Sequence, residues 1–164
     1  MTLFLAFSDT HGDLTLVERV LAQYPQADGV LHLGDYTRDA QRLAQRHPDL
    51  PVHAVCGNCD IGVDAMQFPL ERELVVEGKR LLLTHGHRYG VKSGYGRLAA
   101  RAAAGAFDLA LFGHTHIAAD VQVQGVHLLN PGSPAHPKGM DLPSYALVEI
   151  GHGLVETRLM LVEP

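Results

Sequence analysis

The sequence predicts an α/β domain whose first half is built on parallel strands and whose second half is richer in hairpins. Three observations predict it. Short apolar runs alternate with helical patterns at the start of the chain. Glycine-centred turns separate paired apolar runs further on. Five of the apolar runs end in a short polar cluster.

The elements follow in order. Leu3 to Phe7 reads as a strand bounded by polar turn residues. Asp13 is the expected N-cap of a helix carrying Val17, Val20, Leu21 and Tyr24 at helical spacing, closed by Pro25. Val30 to Leu33 is the second strand. Ala40, Leu43, Ala44 and His47 recur at i, i+3, i+4 and i+7, a helix ended by Pro48. Val52 to Val55 is the third strand, and this β-α-β-α-β order implies parallel strands with right-handed crossovers. Glu71 to Glu77 and Lys79 to Thr84 flank Gly78 as a hairpin. Leu98, Ala99, Ala102 and Ala103 mark a helix with Gly105 as its C-cap, and Leu109 to Phe112 is another strand. Val121 to Val123 and Val126 to Leu129 flank Gln124-Gly125. Tyr145 to Ile150 and Leu154 to Val162 flank Gly151-His152-Gly153. Spacing alone leaves two arrangements open: two stacked sheets with helices outside, or hairpins extending one mixed sheet.

Composition bounds the function. A chain of 164 residues is the length of one domain, read here as spanning 1–164. With 46% apolar and 19% charged residues it is a globular chain. A net charge of −5 argues against a broad nucleic-acid-binding surface. No apolar run approaches the ~18 residues of a membrane span. The N-terminal apolar run lacks a basic flank, so no signal peptide is expected there. Two cysteines cannot form a disulfide framework, and a reducing cytoplasm fits them. Against these two cysteines stand 11 histidines, the commonest metal ligands.

The polar clusters carry the chemistry. They read Ser8-Asp9-Thr10-His11-Gly12-Asp13, Gly34-Asp35-Tyr36, Cys56-Gly57-Asn58-Cys59-Asp60, Thr84-His85-Gly86-His87 and Gly113-His114-Thr115-His116. Ligands of open α/β sheets sit outside the carboxyl ends of strands. Five such ends side by side bring Asp9, His11, Asp35, Asn58, His85, His114 and His116 into one cleft. Imidazoles with carboxylates and an amide oxygen suit Mn, Fe, Zn, Ni or Co. Four histidines are too nitrogen-rich for a Mg or Ca cage. Seven ligands exceed the needs of one ion with an open position, whereas two ions sharing a carboxylate use them all. Two metals ~3.5–4 Å apart are a known device for phosphate ester hydrolysis, in which a bound water attacks as hydroxide. His87 is expected to line the cleft and contact substrate. His32, His47, His53, His127, His136 and His152 read as surface or half-buried residues without a role.

The ordered motifs D-x-H, G-D, G-N-x-D, G-H and G-H-x-H resemble those of the calcineurin-like metallophosphoesterases, with the small YfcE-type phosphodiesterases as the nearest branch. The resemblance runs from Asp9 to Ser133, with Asn130-Pro131-Gly132-Ser133 matching a further segment of the small members. It implies a four-layer α/β/β/α sandwich of two mixed sheets. It implies that Asp9, His11 and His116 hold one divalent ion, that Asn58, His85 and His114 hold the other, and that Asp35 bridges them. Asn58 would also meet the substrate. Manganese is the implied metal, with iron, nickel or zinc as alternatives. The implied activity is hydrolysis of a small phosphodiester by metal-bound hydroxide, and small members often self-associate.

One position departs from the wider family. Many members carry histidine where Cys59 stands, though the YfcE-type branch resembles this chain. A thiol with an ordinary pKa of ~8.5 is a poorer proton donor near neutral pH than an imidazole. That favours diesters or slow turnover, with Cys59 as the catalytic candidate and Asp60 expected to orient Cys59 or Asn58. Specificity is expected from the cleft rim, at 62–69 and 88–96. Two rival readings exist. A retromer subunit of this fold acts as an interaction scaffold, which would make the chain a catalytically weak module. Cys56-Gly57-Asn58-Cys59 is also formally a C-x-x-C redox pair.

Overall fold

The computed structural model describes residues 1–62 and 66–162. Ten strands form two five-stranded mixed sheets. The first has the order β10-β9-β1-β2-β3, from β1 (Thr2–Phe7), β2 (Gly29–His32), β3 (Val52–Ala54), β9 (Ser144–Gly151) and β10 (Leu154–Leu161). The second has the order β4-β5-β6-β8-β7, from β4 (Glu71–Val76), β5 (Lys79–Thr84), β6 (Leu109–Leu111), β7 (Ala118–Val123) and β8 (Val126–Pro131). Strands β1, β2 and β3 are parallel neighbours, as are β5, β6 and β8. The hairpin partners β4, β7 and β10 are antiparallel edges, and β9 joins β10 to β1.

Alternation along the strands makes this a four-layer stack. Phe4 and Ala6 of β1 join Leu81, Leu83, Leu109, Leu111 and Leu129 of the second sheet in one buried cluster between the sheets. The intervening Leu5 and Phe7 face outward onto α1 (Thr15–Gln23) and α2 (Thr37–Arg46). In the second sheet, Leu82, Ala110 and Leu128 pack under α3 (Gly96–Ala104). Both faces of each sheet's central strands are therefore apolar, which is why these strands read as unbroken apolar runs. The stacked arrangement is the one the molecule adopts.

Turn chemistry agrees with the sequence reading in most places. Glu77-Gly78, Gln124-Gly125 and His152-Gly153 all take positive φ at both positions, the signature of tight two-residue hairpin turns. Two ends differ. The first residue flanking α1 is Leu14, while the Asp13 carboxylate accepts the Thr15 N–H at 2.9 Å from one position further out. At the end of α3, Gly105 is the C-cap, but Ala106 takes the left-handed turn. Gly105 is needed for space: a Cβ there would lie 2.2 Å from the Phe107 ring.

The expected rim segment 62–69 includes residues 63–65, which lie outside the described residues. Among the described residues no helix is long and apolar enough to cross a membrane.

Candidate metal centre

The carboxyl ends of the parallel strands of both sheets share one rim, and hydrogen bonds knit them together there. The His85 ring, just after β5, reaches across to the Leu33 carbonyl after β2, with its Nδ1 at 2.7 Å. Asp9, just after β1, accepts the His114 N–H at 3.0 Å and the Ser8 hydroxyl at 2.6 Å on Oδ2. The Ser133 hydroxyl, beyond β8, donates to the Asp9 carbonyl at 2.8 Å. Close approach needs glycine. A Cβ on Gly113 would sit 1.9 Å from Ser8 Oγ, and one on Gly57 would sit 2.2 Å from Asp35 Oδ1.

Four of the expected ligands converge tightly. Asp9, His11, Asp35 and His116 each offer a ligand atom within 4.8 Å of the other three. Around Asp9 Oδ1 stand His116 Nε2 at 3.2 Å and the Nε2 atoms of His11 and His85 at 3.9 Å. This oxygen is buried and takes no hydrogen bond. Asp35 turns Oδ2 toward His11 Nε2 at 3.7 Å and Oδ1 toward His85 Nε2 at 3.3 Å. His116 Nδ1 donates to the His136 carbonyl at 2.7 Å, as His85 Nδ1 does to Leu33. A carbonyl only accepts, so both rings carry their proton on Nδ1 and aim the Nε2 lone pair at the carboxylates. Lone pairs facing lone pairs in a buried site repel unless a proton or a cation lies between them.

Of the remaining expected residues, His85 is fully buried and His114 and His87 are half-buried. Asn58 is exposed, with Oδ1 3.1 Å from His85 Nε2. The His114 and His85 rings are 5.1 Å apart, centroid to centroid. His87 opens a short 3-10 turn, His87–Tyr89, instead of extending β5. Its ring lies 5.4 Å from His85 and 6.0 Å from His114, and its Nδ1 is buried without a partner.

Electrostatics follow burial and charge. Burial works against the charged forms of both Asp9 and Asp35, but the neighbouring imidazoles outweigh it and hold both carboxyls below their ordinary range. For His85, burial is likewise outweighed by Asp35 and Asp9, which raise its pKa. The Asp9 carboxylate raises that of His116. Burial lowers His11, and burial with the charges of His85 and Lys92 lowers His114 to about 4. Burial and the Asp35 carboxylate push the Cys59 thiol up to about 11.

Asp60 and the two cysteines complete the rim. The Asp60 carboxylate binds the amides of Gly57 at 2.7 Å, Asp35 at 3.1 Å and Thr37 at 2.7 Å. It therefore clamps the β3 loop to the start of α2. It thus braces the loop carrying Asp35 as well as its own loop, through Gly57 next to Asn58. Cys59 is exposed, and its N–H donates to Asp35 Oδ1 at 2.9 Å. Cys56 is buried, and its thiol donates to the Gly57 carbonyl.

Sequence reasoning misses the braces. His32, which reads as roleless, is fully buried and lies 3.0 Å from Thr10 Oγ1. Thr10 also donates to Asp39 at 2.6 Å, and the Gly12 N–H donates to the same carboxylate oxygen at 2.8 Å. The loop carrying Asp9 and His11 is thus tied to α2 from beneath. His136, which also reads as roleless, supplies the carbonyl that orients His116. Asn130 donates to the Gly113 carbonyl and to Thr115 Oγ1. Of these, only Asn130 and Ser133 carry a sequence signal, through the N-P-G-S resemblance.

Comparison with known proteins agrees with this geometry. Residues 1–153 match the model of the calcineurin-like phosphoesterase superfamily domain. The probable metallophosphoesterase YsnB of Bacillus subtilis is 32% identical over 156 residues, covering 94% of this chain and 88% of that protein. Phosphodiesterase YfcE of Escherichia coli K12 is 33% identical over 162 residues, covering 87% and 84%. A predicted phosphoesterase from Streptococcus pneumoniae superposes with a TM-score of 0.81 at 26% identity, over 98% of this chain and 89% of that one. Vps29 of Entamoeba histolytica shares the fold, with a TM-score of 0.75 at 21% identity over 99% and 100%. With a family model spanning nearly all of it and relatives matched over most of their length, the chain belongs to the calcineurin-like phosphoesterase superfamily.

Proposed function

We propose that this chain is a metal-dependent phosphodiesterase with a dinuclear centre, manganese being the preferred metal. The observation that carries the reading is the buried, unpartnered Asp9 Oδ1 ringed by three imidazole Nε2 atoms. Such an atom is costly to bury without a counter-charge. The donor set of imidazole, carboxylate and amide oxygen suits a divalent transition ion. Asp9, His11 and His116 would hold one ion and Asn58, His85 and His114 the other. Asp35 would serve both, supported by its two oxygens facing different imidazoles. Held there, two such ions would supply Lewis acidity to a phosphate ester and lower the pKa of a nearby water toward neutrality.

The chain's own residues do the rest. The Leu33 and His136 carbonyls hold His85 and His116 in the ligating tautomer. Asp60 and Asp39 fix the loops that present Asp35, Asp9 and His11. Without metal, burial and the Asp35 carboxylate push the Cys59 thiol up to about 11, which makes it a weak proton donor. Substrates whose leaving oxygen needs little proton assistance, such as aryl diesters, are favoured. Free cysteines, one buried and one exposed, fit action in a reducing cytoplasm.

The test is elemental analysis of the protein loaded at pH 8 together with hydrolysis of a bis-aryl phosphodiester. Two ions per chain are expected, with activity lost to a chelator and restored by manganese. A stoichiometry below one with metal in excess overturns the dinuclear reading.

A further inference from the structure

We propose that the cleft lined by Tyr36 and Ile61 is a subsite for a flat aromatic arm of the phosphodiester, a nucleobase or aryl group, with Tyr36 as the residue that selects it. This deepens the phosphodiesterase reading and rests on it for the place of the cleft in the reaction. The cleft holds ≈ 450 Å³, bounded by His11, Tyr36, Thr37, Arg38, Cys59, Asp60 and Ile61. That is room for a small organic group. It opens onto His11, so an ester arm leaving a phosphorus at the proposed centre extends into it.

The Tyr36 side chain is presented at a conformational cost. Its φ is +68°, and Asp35 before it has φ +57°. A bulky aromatic residue is rarely found in this left-handed region. Strain of this kind persists only where the surroundings over-determine it, and it clusters at ligand clamps. Here the determinant is Asp60, whose carboxylate accepts the amides on either side of Tyr36: Asp35 at 3.1 Å and Thr37 at 2.7 Å. The Tyr36 ring lies 5.2 Å from the His11 ring, tilted by 57°. A Cβ on Gly12 would touch its edge at 3.5 Å. One side of the ring is thus backed by the His11–Gly12 loop, yet the residue stays 43% exposed. Ile61 lines the same cleft and is 82% exposed. A backed aromatic ring sharing a cleft with a bare aliphatic side chain offers apolar surface to a flat π-system.

Binding of two probes to the manganese-loaded protein tests this by calorimetry: adenosine 5′-monophosphate, and ribose 5-phosphate as the same anion without a base. The nucleotide should bind about tenfold more tightly, the low end of what stacking of one base contributes. Tyr36→Phe should keep the difference and Tyr36→Gly should abolish it. Glycine takes φ +68° without penalty, so an unchanged melting temperature verifies the fold. Equal affinity for the two probes, or a difference that survives Tyr36→Gly, overturns the subsite. Aryl diester hydrolysis is followed on the same samples. Probe discrimination without hydrolysis removes the phosphodiesterase reading and leaves the subsite standing. Hydrolysis without discrimination does the reverse.

Discussion

The two halves of the proposed centre differ in how firmly they are held. Around Asp9, His11 and His116 the supports are many and mostly buried. Ser8 and Ser133 bind Asp9, the His136 carbonyl orients His116, and Asp39 ties down the loop through Thr10 and Gly12. In the half formed by Asn58, His85 and His114, only His85 is fully buried and locked, by the Leu33 carbonyl. Asn58 is exposed, and its amide donates to the neighbouring Cys59 sulfur at 3.6 Å. Precision therefore comes from behind the ligand. A side chain is positioned by what binds its far side, and the seam between the two sheets supplies more such partners than the open loop after β3 does. The cleft meets both halves, since His11 of the first half and Cys59 of the open loop line it.

Removing the shared carboxylate should erase the contrast altogether. Asp35 is common to both halves, so Asp35→Ala should weaken binding of both ions by on the order of 100-fold or more, the upper range for losing support at a metal site. Asn58→Ala should empty only the open half and leave one ion bound. Elemental analysis after gel filtration reads both. One ion retained in Asp35→Ala with both lost in Asn58→Ala would reverse the assignment of the bridge.

Acidity should weaken both halves alike. The carboxylates raise His85 in one half and His116 in the other. Each ion must then displace a proton, and affinity for each should rise about tenfold per pH unit up to that raised pKa, levelling off above it. His11 and His114 are lowered and compete with metal only at lower pH, for His114 near 4. Calorimetric titration with manganese between pH 6 and 8 measures the slope. A pH-independent affinity would remove proton displacement from the account.

A third variant, with a much smaller effect, concerns the open half alone. An aryl oxide leaves without needing a proton, so a thiol contributes little to hydrolysis of an aryl substrate. Cys59→Ala should keep aryl diester hydrolysis within about tenfold of the unmodified protein, since a positioned acid contributes 10²–10⁴-fold. A loss beyond a hundredfold with metal content intact makes Cys59 a participant in the chemistry.

Much of the molecule is legible in the chain alone. Strand and helix positions follow from period, and the hairpins from Glu77-Gly78 and Gln124-Gly125, because local sterics decide both. The D-x-H and G-H-x-H clusters point to metal because few other chemistries need such residues together. Asp39 and His32 are not legible in this way. An acidic residue in a helix's first turn ordinarily serves the helix dipole, and nothing local shows that this one is buried beneath Thr10 and Gly12. Asp60 is legible only in part. Its partner Gly57 lies in its own loop, whereas Thr37 and Asp35 lie 23 and 25 residues away.

Local sequence thus dictates the elements, their turns and the chemical character of the site, all of which rest on neighbouring residues. Packing in three dimensions settles that two sheets stack instead of joining, because an apolar run records burial on both faces without saying against what. It also settles which imidazole nitrogen faces the carboxylates, through the distant carbonyls of Leu33 and His136. Those are through-space facts, and a one-dimensional pattern carries no record of which remote backbone atom a ring will meet.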